Sequence, residues 1–341
     1  MDVLNHRMQG RLFPIFFLIA LLSCQKSRKK PQVDEDNRPV TIEVPTFNAD
    51  SAYFFVEKQV AFGPRVPGTP AHDRTAEYLT RRLSEWGATV TVQEFDQTMY
   101  DKTRVRLKNI IASFYPEKQR RLLFAAHWDT RPFADKDKEN PNGPMDGAND
   151  GASGVAVLME IARILNSAQG APEVGLDIIL FDGEDWGERY NERQMPPPGL
   201  QSWYCLGSQY WATHKHKPGY SAYYGILLDM VGGKNGRFFR EELSIRYAPS
   251  IVDKVWNTAH RLGYGQFFPN EVQSEIVDDH KFVTELGRIP MINIVNYDPV
   301  LGTFGSFHHT QDDNMEIISR ETLGAVGKTI LHVLYEERSG V

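Results

Sequence analysis

Short apolar runs alternate with helical patterns along most of the chain. Four runs are almost entirely apolar, at residues 122–126, 178–181, 225–228 and 289–295. Such runs are typical of strands that are buried on both faces of a parallel sheet. Apolar residues with helical spacing occur before, between and after them, at residues 51–60, 70–86, 154–165, 251–262, 280–286 and 322–335. The alternation predicts strands packed between helices.

Two further segments, 89–95 and 104–114, alternate polar and apolar residues. This pattern is typical of antiparallel strands with one partly exposed face. We therefore expect an α/β fold: a single-domain, three-layer α/β/α sandwich around a mixed, mostly parallel, twisted sheet. Residues 49–341 are predicted to form this domain. The proline-rich stretch 195–200 is expected to be a surface loop within it.

The amino terminus has the pattern of an export signal. His6, Arg7 and Arg11 lie before or at the start of an apolar run over residues 12–22. As a helix, this run would extend only about 16 Å, which is well short of the roughly 30 Å hydrocarbon core of a bilayer. A cleaved signal peptide therefore explains the run better than a transmembrane helix.

The end of this run, Leu21-Leu22-Ser23-Cys24, resembles a bacterial lipobox, in which the cysteine is lipidated. Leu22 departs from the small residue that is more usual there, and an ordinary signal peptide containing Cys24 is the alternative. The resemblance implies a lipoprotein-type signal peptide over residues 1–24 and a flexible tether over residues 25–48. It also implies an exported lipoprotein, anchored to a bacterial membrane and facing the periplasm or cell exterior. Cys205, the other cysteine, is then expected to be a free, buried thiol.

The composition indicates the general class of protein but not its specific function. With 41% hydrophobic and 24% charged residues, the chain has the composition of a globular protein rather than a disordered one. Its formal net charge of −6 makes broad electrostatic binding to nucleic acid unfavourable. We therefore expect no nucleic-acid partner.

Residues of metal-ligand type follow the predicted strands. His127, Glu184-Asp185 and Asp229 lie at or shortly after the ends of three apolar runs. Ligands of open α/β sheets bind at the carboxyl ends of the strands. Carboxylates crowded there would repel each other and lose solvation unless a cation neutralised them. A mixed set of His and Asp side chains suits zinc, although each residue alone is a weak signal.

Six motifs in order carry a family resemblance. They are HWD, GANDGASG, FDGEDWG, LLDMVGG, DDHKF and HHTQDDN. This set resembles the M28 zinc family, which contains aminopeptidases and glutaminyl-peptide cyclotransferases. The resemblance extends over residues 55–335 and implies an M28-like catalytic domain.

The resemblance implies a zinc site. Asp150, Asp185 and His309 match the ligands of the single zinc ion of the cyclotransferases, although Asp185 stands where a glutamate is usual. His127 and Asp229 match residues that hold a second zinc ion in the aminopeptidases. Ligand identity alone therefore does not separate the two activities.

The resemblance also implies the groups that handle protons and substrate. Glu184 matches the general acid/base. Asp229 and Asp278 match two aspartates that form a hydrogen-bond network with the substrate. Because these carboxylates are crowded together, we expect like-charge repulsion to raise the pKa of Glu184 toward neutrality.

Three features favour the cyclotransferases. Asp278 stands where aminopeptidases tend to carry serine. Phe304 lies where the cyclotransferases place an aromatic pocket wall, and Trp186 and Tyr190 follow the acid/base as aromatic residues do in that branch. These aromatic residues are also compatible with ordinary packing.

Two features depart from the cyclotransferase pattern. His308 stands where the cyclotransferases carry a tryptophan, at the rim of the pocket. The segment 278–282 lacks the usual proline.

The predicted function is that of a glutaminyl-peptide cyclotransferase with one zinc ion. Its substrates would be peptides or proteins with an N-terminal glutamine, converted to pyroglutamate with release of ammonia. The substrate's own amine is a tethered nucleophile, so no activated water is needed. A di-zinc aminopeptidase and an inactive M28-like binding module are the alternatives.

Overall fold

The centre of the fold is a set of parallel strands without exposed side chains. The computed structural model describes residues 43–167 and 170–340. Within it, β3 (Arg121–His127), β4 (Gly175–Phe181), β5 (Tyr224–Asp229) and β8 (Met291–Val295) are buried throughout. β4 and β5 pair in parallel with β3, and β8 pairs in parallel with β5. The four apolar runs therefore mark the four parallel strands of the six-stranded sheet, as predicted.

Two antiparallel strands extend this sheet on one side. β1 (Thr89–Thr98) pairs with β2 (Arg104–Phe114), and β2 pairs antiparallel with β4. The strand order is β1-β2-β4-β3-β5-β8. The prediction of an antiparallel part is confirmed. A separate short pair, β6 (Arg240–Glu241) and β7 (Val272–Gln273), lies outside this sheet.

Five helices cover one face of the sheet. They are α1 (Ala49–Val60), α2 (Pro70–Glu85), α3 (Ala152–Ser167), α6 (Pro249–Arg261) and α8 (Arg320–Glu336). Their apolar residues form one core cluster with alternate strand residues such as Leu122, Phe124 and Ala126. Because side chains of a strand alternate between its two faces, this cluster defines one layer boundary of the sandwich.

The other face is covered by α4 (Leu206–Thr213) and α7 (Asp279–Glu285). There, Leu123 and Ala125 of β3 pack with Trp211 of α4. Helices thus lie on both sides of a mixed, mostly parallel sheet, and the predicted α/β class is confirmed.

Two helices were not predicted from the sequence. α4 begins after Cys205, whose positive φ of 58° breaks the chain direction without a side-chain cap. α5 (Glu242–Tyr247) has six residues, which is too short to show a helical period. By contrast, helices with cap signals are found where expected: Asn48 caps α1 and Thr69 caps α2.

The amino-terminal predictions fall largely outside the described residues. The signal peptide (1–24), with Cys24, and most of the tether (25–48) are not described. Phe47, however, is only 3% exposed and belongs to the core. The folded part therefore begins before residue 49, and the predicted tether is too long at its carboxyl end. In the part of the chain that the structure covers, no helix has both the length and the hydropathy of a membrane span.

We predict that Gly154→Ala destabilises the protein. A Cβ at this position of α3 would lie 2.2 Å from the backbone oxygen of Leu228 in β5. Alanine gains up to about 1 kcal/mol in helix propensity, whereas overpacking against a rigid backbone costs about 1–3 kcal/mol or more. The free energy of unfolding in urea should therefore fall by about 1–3 kcal/mol. Asn166→Ala, at an exposed position of α3, is the control and should change it by less than about 0.5 kcal/mol. Equal stability of the two variants would contradict this packing.

Candidate active site

The carboxyl ends of the central strands meet at one cavity. His127 and Asp229 are the last residues of β3 and β5, and Glu184 and Asp185 follow β4. A cavity of about 240 Å³ opens there, lined by both loop and strand residues. The site lies at the sheet edge where the sequence predicts it.

Asp150, Asp185 and His309 come together on one side of the cavity. His309 Nε2 lies 2.9 Å from Asp185 Oδ1 and 3.8 Å from Asp150 Oδ2. His308 Nε2 is also 3.8 Å from Asp150 Oδ2, and Asp150, His308 and His309 form a group whose ligand atoms lie within 4.8 Å of one another. The structure thus adds His308 as a neighbour of the predicted ligand set.

Zinc fits this set of side chains. Oδ2 of Asp150 and Oδ2 of Asp185 are buried and make no hydrogen bond with any described residue. Unpaired buried carboxylate oxygens are costly unless a cation is close. Two carboxylates and one imidazole are donors that zinc accepts. The two carboxylate oxygens without a hydrogen-bond partner therefore indicate a candidate cation site beside His309.

Two further aspartates brace the loops that carry the ligands. Asp129 accepts hydrogen bonds from the backbone N–H groups of Glu184 and Asp185, both at 3.1 Å. Asp313 does the same for Asn149 and Asp150, at 2.7 and 3.0 Å. Each brace fixes two consecutive backbone donors, and thereby the direction of the side chains they carry. Both aspartates lie in motifs quoted above, but spacing alone does not show that they bind backbone.

A second group of possible ligands adjoins the first. His127 Nε2 lies 3.0 Å from Asp150 Oδ1 and 3.2 Å from Asp229 Oδ1. The ligand atoms of these three residues also lie within 4.8 Å of one another. Asp150 therefore belongs to both groups, and the geometry accommodates one ion or two.

Glu184 lies beside Asp278, and its Oε2 is also 3.9 Å from Nδ1 of His127 in the second group. The side chain of Glu184 is 15% exposed, and Glu184, Cys205 and Asp278 lie within 4.8 Å of one another. The Cys205 thiol is free and buried, as predicted, and donates to Glu184 Oε1 at 3.3 Å. Burial raises the pKa of Glu184 well above its ordinary value, and Asp185 and Asp278 add to the rise while His127 opposes it. The direction agrees with the prediction, but burial contributes more than the like charges.

Asp278 and Asp229 are fixed by different partners. Asp278 precedes α7 and accepts hydrogen bonds from the backbone N–H of Asp279 at 2.6 Å and from Asn293 Nδ2 at 2.7 Å. Burial raises the pKa of Asp278. Burial also raises the pKa of Asp229 to about 7, against the hydrogen bond to His127. Both carboxyl groups face the cavity and are able to bind a polar substrate.

Of the four residues predicted to line the substrate pocket, three line the cavity and one does not. Phe304, Tyr190 and His308 line the cavity, and the rings of Phe304 and His308 are 4.5 Å apart. Trp186 is not among the lining residues. It is 7% exposed and packs in a separate apolar cluster with Phe133 and other residues. The expectation that Trp186 forms a pocket wall is therefore corrected: the indole supports the loop from behind.

Several residues that line the cavity were not predicted from the sequence. They are Asp135, Lys136, Tyr204, Met230, Ile276 and Val277. Most lie in irregular loops, where no periodicity or spacing marks them. One of them, Asp135, is close to a candidate metal ligand. It receives two hydrogen bonds from Arg131, at 2.7 and 2.8 Å, and lies 3.6 Å from His309 Nδ1. It thus orients His309, a role typical of carboxylates behind metal-binding histidines.

The fold and site define a class of α/β domain with a candidate metal centre at the carboxyl edge of its sheet. A family model for peptidase family M28 matches residues 109–334. The chain therefore belongs to peptidase family M28, as its motifs predict.

The chain is similar to proteins named as glutaminyl cyclases and to one named as an aminopeptidase. The crystal structure of Tannerella forsythia glutaminyl cyclase is 50% identical, covers 86% of this chain and 100% of its own, and has a TM-score of 0.82. The structure of a leucine aminopeptidase precursor from Bacteroides thetaiotaomicron is 46% identical, covers 87% and 100%, and has a TM-score of 0.82. The glutaminyl-peptide cyclotransferase of Drosophila melanogaster is 26% identical over 286 residues, which is 76% of this chain and 73% of the relative.

We predict that His309→Ala loses zinc. Removing an imidazole from beside the orphaned carboxylate oxygens should weaken zinc binding by more than about 100-fold, the upper end of the effect of outer partners. Elemental analysis of the purified protein measures this. His332→Ala, a partly exposed helix residue remote from the cavity, should keep its zinc. Full zinc occupancy in His309→Ala would show that the ligand assignment is wrong.

Proposed function

We propose that this protein is a zinc-dependent glutaminyl-peptide cyclotransferase. The observation that carries the proposal is the division of one small cavity into two sides. Asp150, Asp185 and His309 form the candidate metal side, and Glu184 lies with Asp278 on the other. The cavity of about 240 Å³ suits one amino-acid side chain rather than a larger ligand. The similarity to glutaminyl cyclases supports the same function.

The proposed reaction closes the substrate on itself. The α-amine of an N-terminal glutamine attacks its own γ-carbonyl carbon, and the bond from that carbon to the side-chain nitrogen breaks. Glu184 accepts one proton from the amine and donates it to the departing nitrogen, which leaves as ammonia. A zinc ion supplies polarisation of the γ-carbonyl when bound. Because the nucleophile is tethered, positioning provides much of the rate.

The surroundings of Glu184 suit this role. Burial raises the pKa of Glu184 well above its ordinary value, which is the direction that suits a carboxyl group acting in turn as base and acid. Asp278 and Asp229, which line the same cavity, would hold the substrate's amine and amide N–H groups by hydrogen bonds. Phe304, Tyr190 and Val277 would enclose the aliphatic part of the glutamine side chain.

A second candidate function is that of a di-zinc aminopeptidase. The group of His127, Asp150 and Asp229 favours it, since these residues are able to hold a second ion. An aminopeptidase must activate water, which two ions do well. An inactive binding module would be expected to lack the acid/base or a ligand, and Glu184, Asp150 and His309 are all present in the chain.

We predict that the purified protein releases ammonia from peptides that begin with glutamine. Mass spectrometry should show loss of one ammonia per peptide. Glu184→Gln should lower kcat by about 10²–10⁴, the usual contribution of a general acid/base, while zinc content is retained. Glu192→Gln, at an exposed position further along the same loop, is the matched control and should turn over normally. Release of free amino acids from leucine-starting peptides instead would favour the aminopeptidase.

We also propose that Cys24 anchors the protein to a membrane, although this residue lies outside the described part of the chain. The proposal rests on the lipobox-like sequence and the short apolar run before it. A single acyl chain binds membranes only weakly, so stable anchoring requires more than one chain on the mature cysteine.

We predict that Cys24→Ser moves the protein from the membrane fraction to the soluble fraction of bacterial cells. Cys205→Ser is the matched control, because it removes the other cysteine and should stay with the membranes. Fractionation followed by immunoblotting distinguishes the two. An unchanged distribution of Cys24→Ser would overturn the lipoprotein proposal.

A further inference from the structure

One cationic side chain stands out in an acidic cavity. Six carboxylate residues line the cavity, among them Asp135, Glu184 and Asp278. Of the lining residues that the structure describes, Lys136 is the one Lys or Arg. A lone ammonium in such a setting contributes a local field that differs from that of the rest of the wall.

A hydrogen bond fixes the position of the Lys136 ammonium, but no carboxylate among the described residues forms an ion pair with it. Its Nζ donates to His308 Nδ1 at 2.6 Å, since an ammonium can only donate. It lies 5.6 Å from the centre of the Tyr190 ring. Across residues 43–167 and 170–340, no carboxylate oxygen lies within 4.0 Å of this nitrogen. Two of its three N–H groups therefore remain available for a ligand.

Lys136 lies next to the candidate metal ligands, through its contact with His308. His308, which holds the ammonium, stacks on His309 with ring centres 3.7 Å apart. Tyr190 on the other side is 71% exposed and marks the mouth of the cavity. Lys136 therefore lies between the candidate zinc ligands and solvent.

A substrate would reach this place with its second residue. In the proposed reaction the glutamine side chain enters the cavity, so the peptide leaves through the mouth. The Cα of the next residue lies about 3.8 Å further along the chain. A carboxylate there would receive charge-assisted hydrogen bonds from Lys136, whereas the rest of the acidic wall would repel it.

We propose that Lys136 is a specificity-determining residue, which favours substrates whose second residue is glutamate or aspartate. This inference rests on the proposed cyclotransferase function. His308 is the positioning partner, because it occupies one N–H of the ammonium and fixes its direction.

The test compares peptides Gln-Xaa-Ala with amidated carboxyl termini, in which Xaa is Glu, Gln or Lys. The Glu side chain is then the only carboxylate, and Gln is its uncharged counterpart of equal size. The wild-type protein should show a higher kcat/KM for the Glu peptide than for the Gln peptide. Lys136→Met should lower kcat/KM for the Glu peptide by about three- to tenfold more than for the Gln peptide, as expected for a partly shielded charge pair.

Three further variants distinguish an effect of the Lys136 charge on peptide preference from a general structural effect of the substitution. Lys136→Arg keeps the charge and should retain the preference for the Glu peptide. Lys136→Glu should reverse it in favour of the Lys peptide. Lys138→Met removes an exposed lysine outside the cavity and should keep the wild-type ratio.

The outcomes distinguish the two proposals. Ammonia release with an equal loss on all peptides in Lys136→Met, or no Glu preference in the wild-type protein, would overturn the role of Lys136 and leave the cyclotransferase function standing. Absence of ammonia release from every peptide would overturn both.

Discussion

Burial of several carboxyl groups at the end of one sheet is the constraint on which the site depends. Asp150, Asp185, Asp229 and Asp278 are nearly inaccessible to solvent, and two of their oxygens lack a hydrogen-bond partner among the described residues. A folded chain tolerates such a cluster only if protons or a cation neutralise it. The core of the protein brings these groups together, and their charge determines what is able to bind there.

The rest of the cavity is arranged around this charge. Asp129 and Asp313 hold the backbone of the ligand loops, so that the carboxylates do not move apart to relieve their repulsion. Burial keeps Glu184 protonated to a higher pH than usual, although it stands next to the candidate ligand Asp185 in sequence. The crowded carboxylates therefore suit two roles. Asp150 and Asp185 are suited to binding a metal ion, and Glu184 is suited to transferring a proton.

The sequence predicts most of the sheet because each parallel strand is a short apolar run between polar residues. It also locates His127, Glu184, Asp185 and Asp229, because these residues lie at or shortly after the ends of the strands. Lys136 and Tyr204 could not be predicted, since they reach the cavity from loops whose path depends on distant packing. Trp186 shows the reverse case: the family resemblance implies a pocket wall, but the indole is buried in a neighbouring apolar cluster instead.

We propose that one cation, held by Asp150, Asp185 and His309, neutralises the buried carboxylates. Anomalous diffraction from crystals at the zinc absorption edge would locate this cation. We expect a single peak per molecule, at about 2.0–2.2 Å from oxygens of both aspartates and from a nitrogen of His309. A second peak of similar height between His127 and Asp229, or no peak at all, would contradict it.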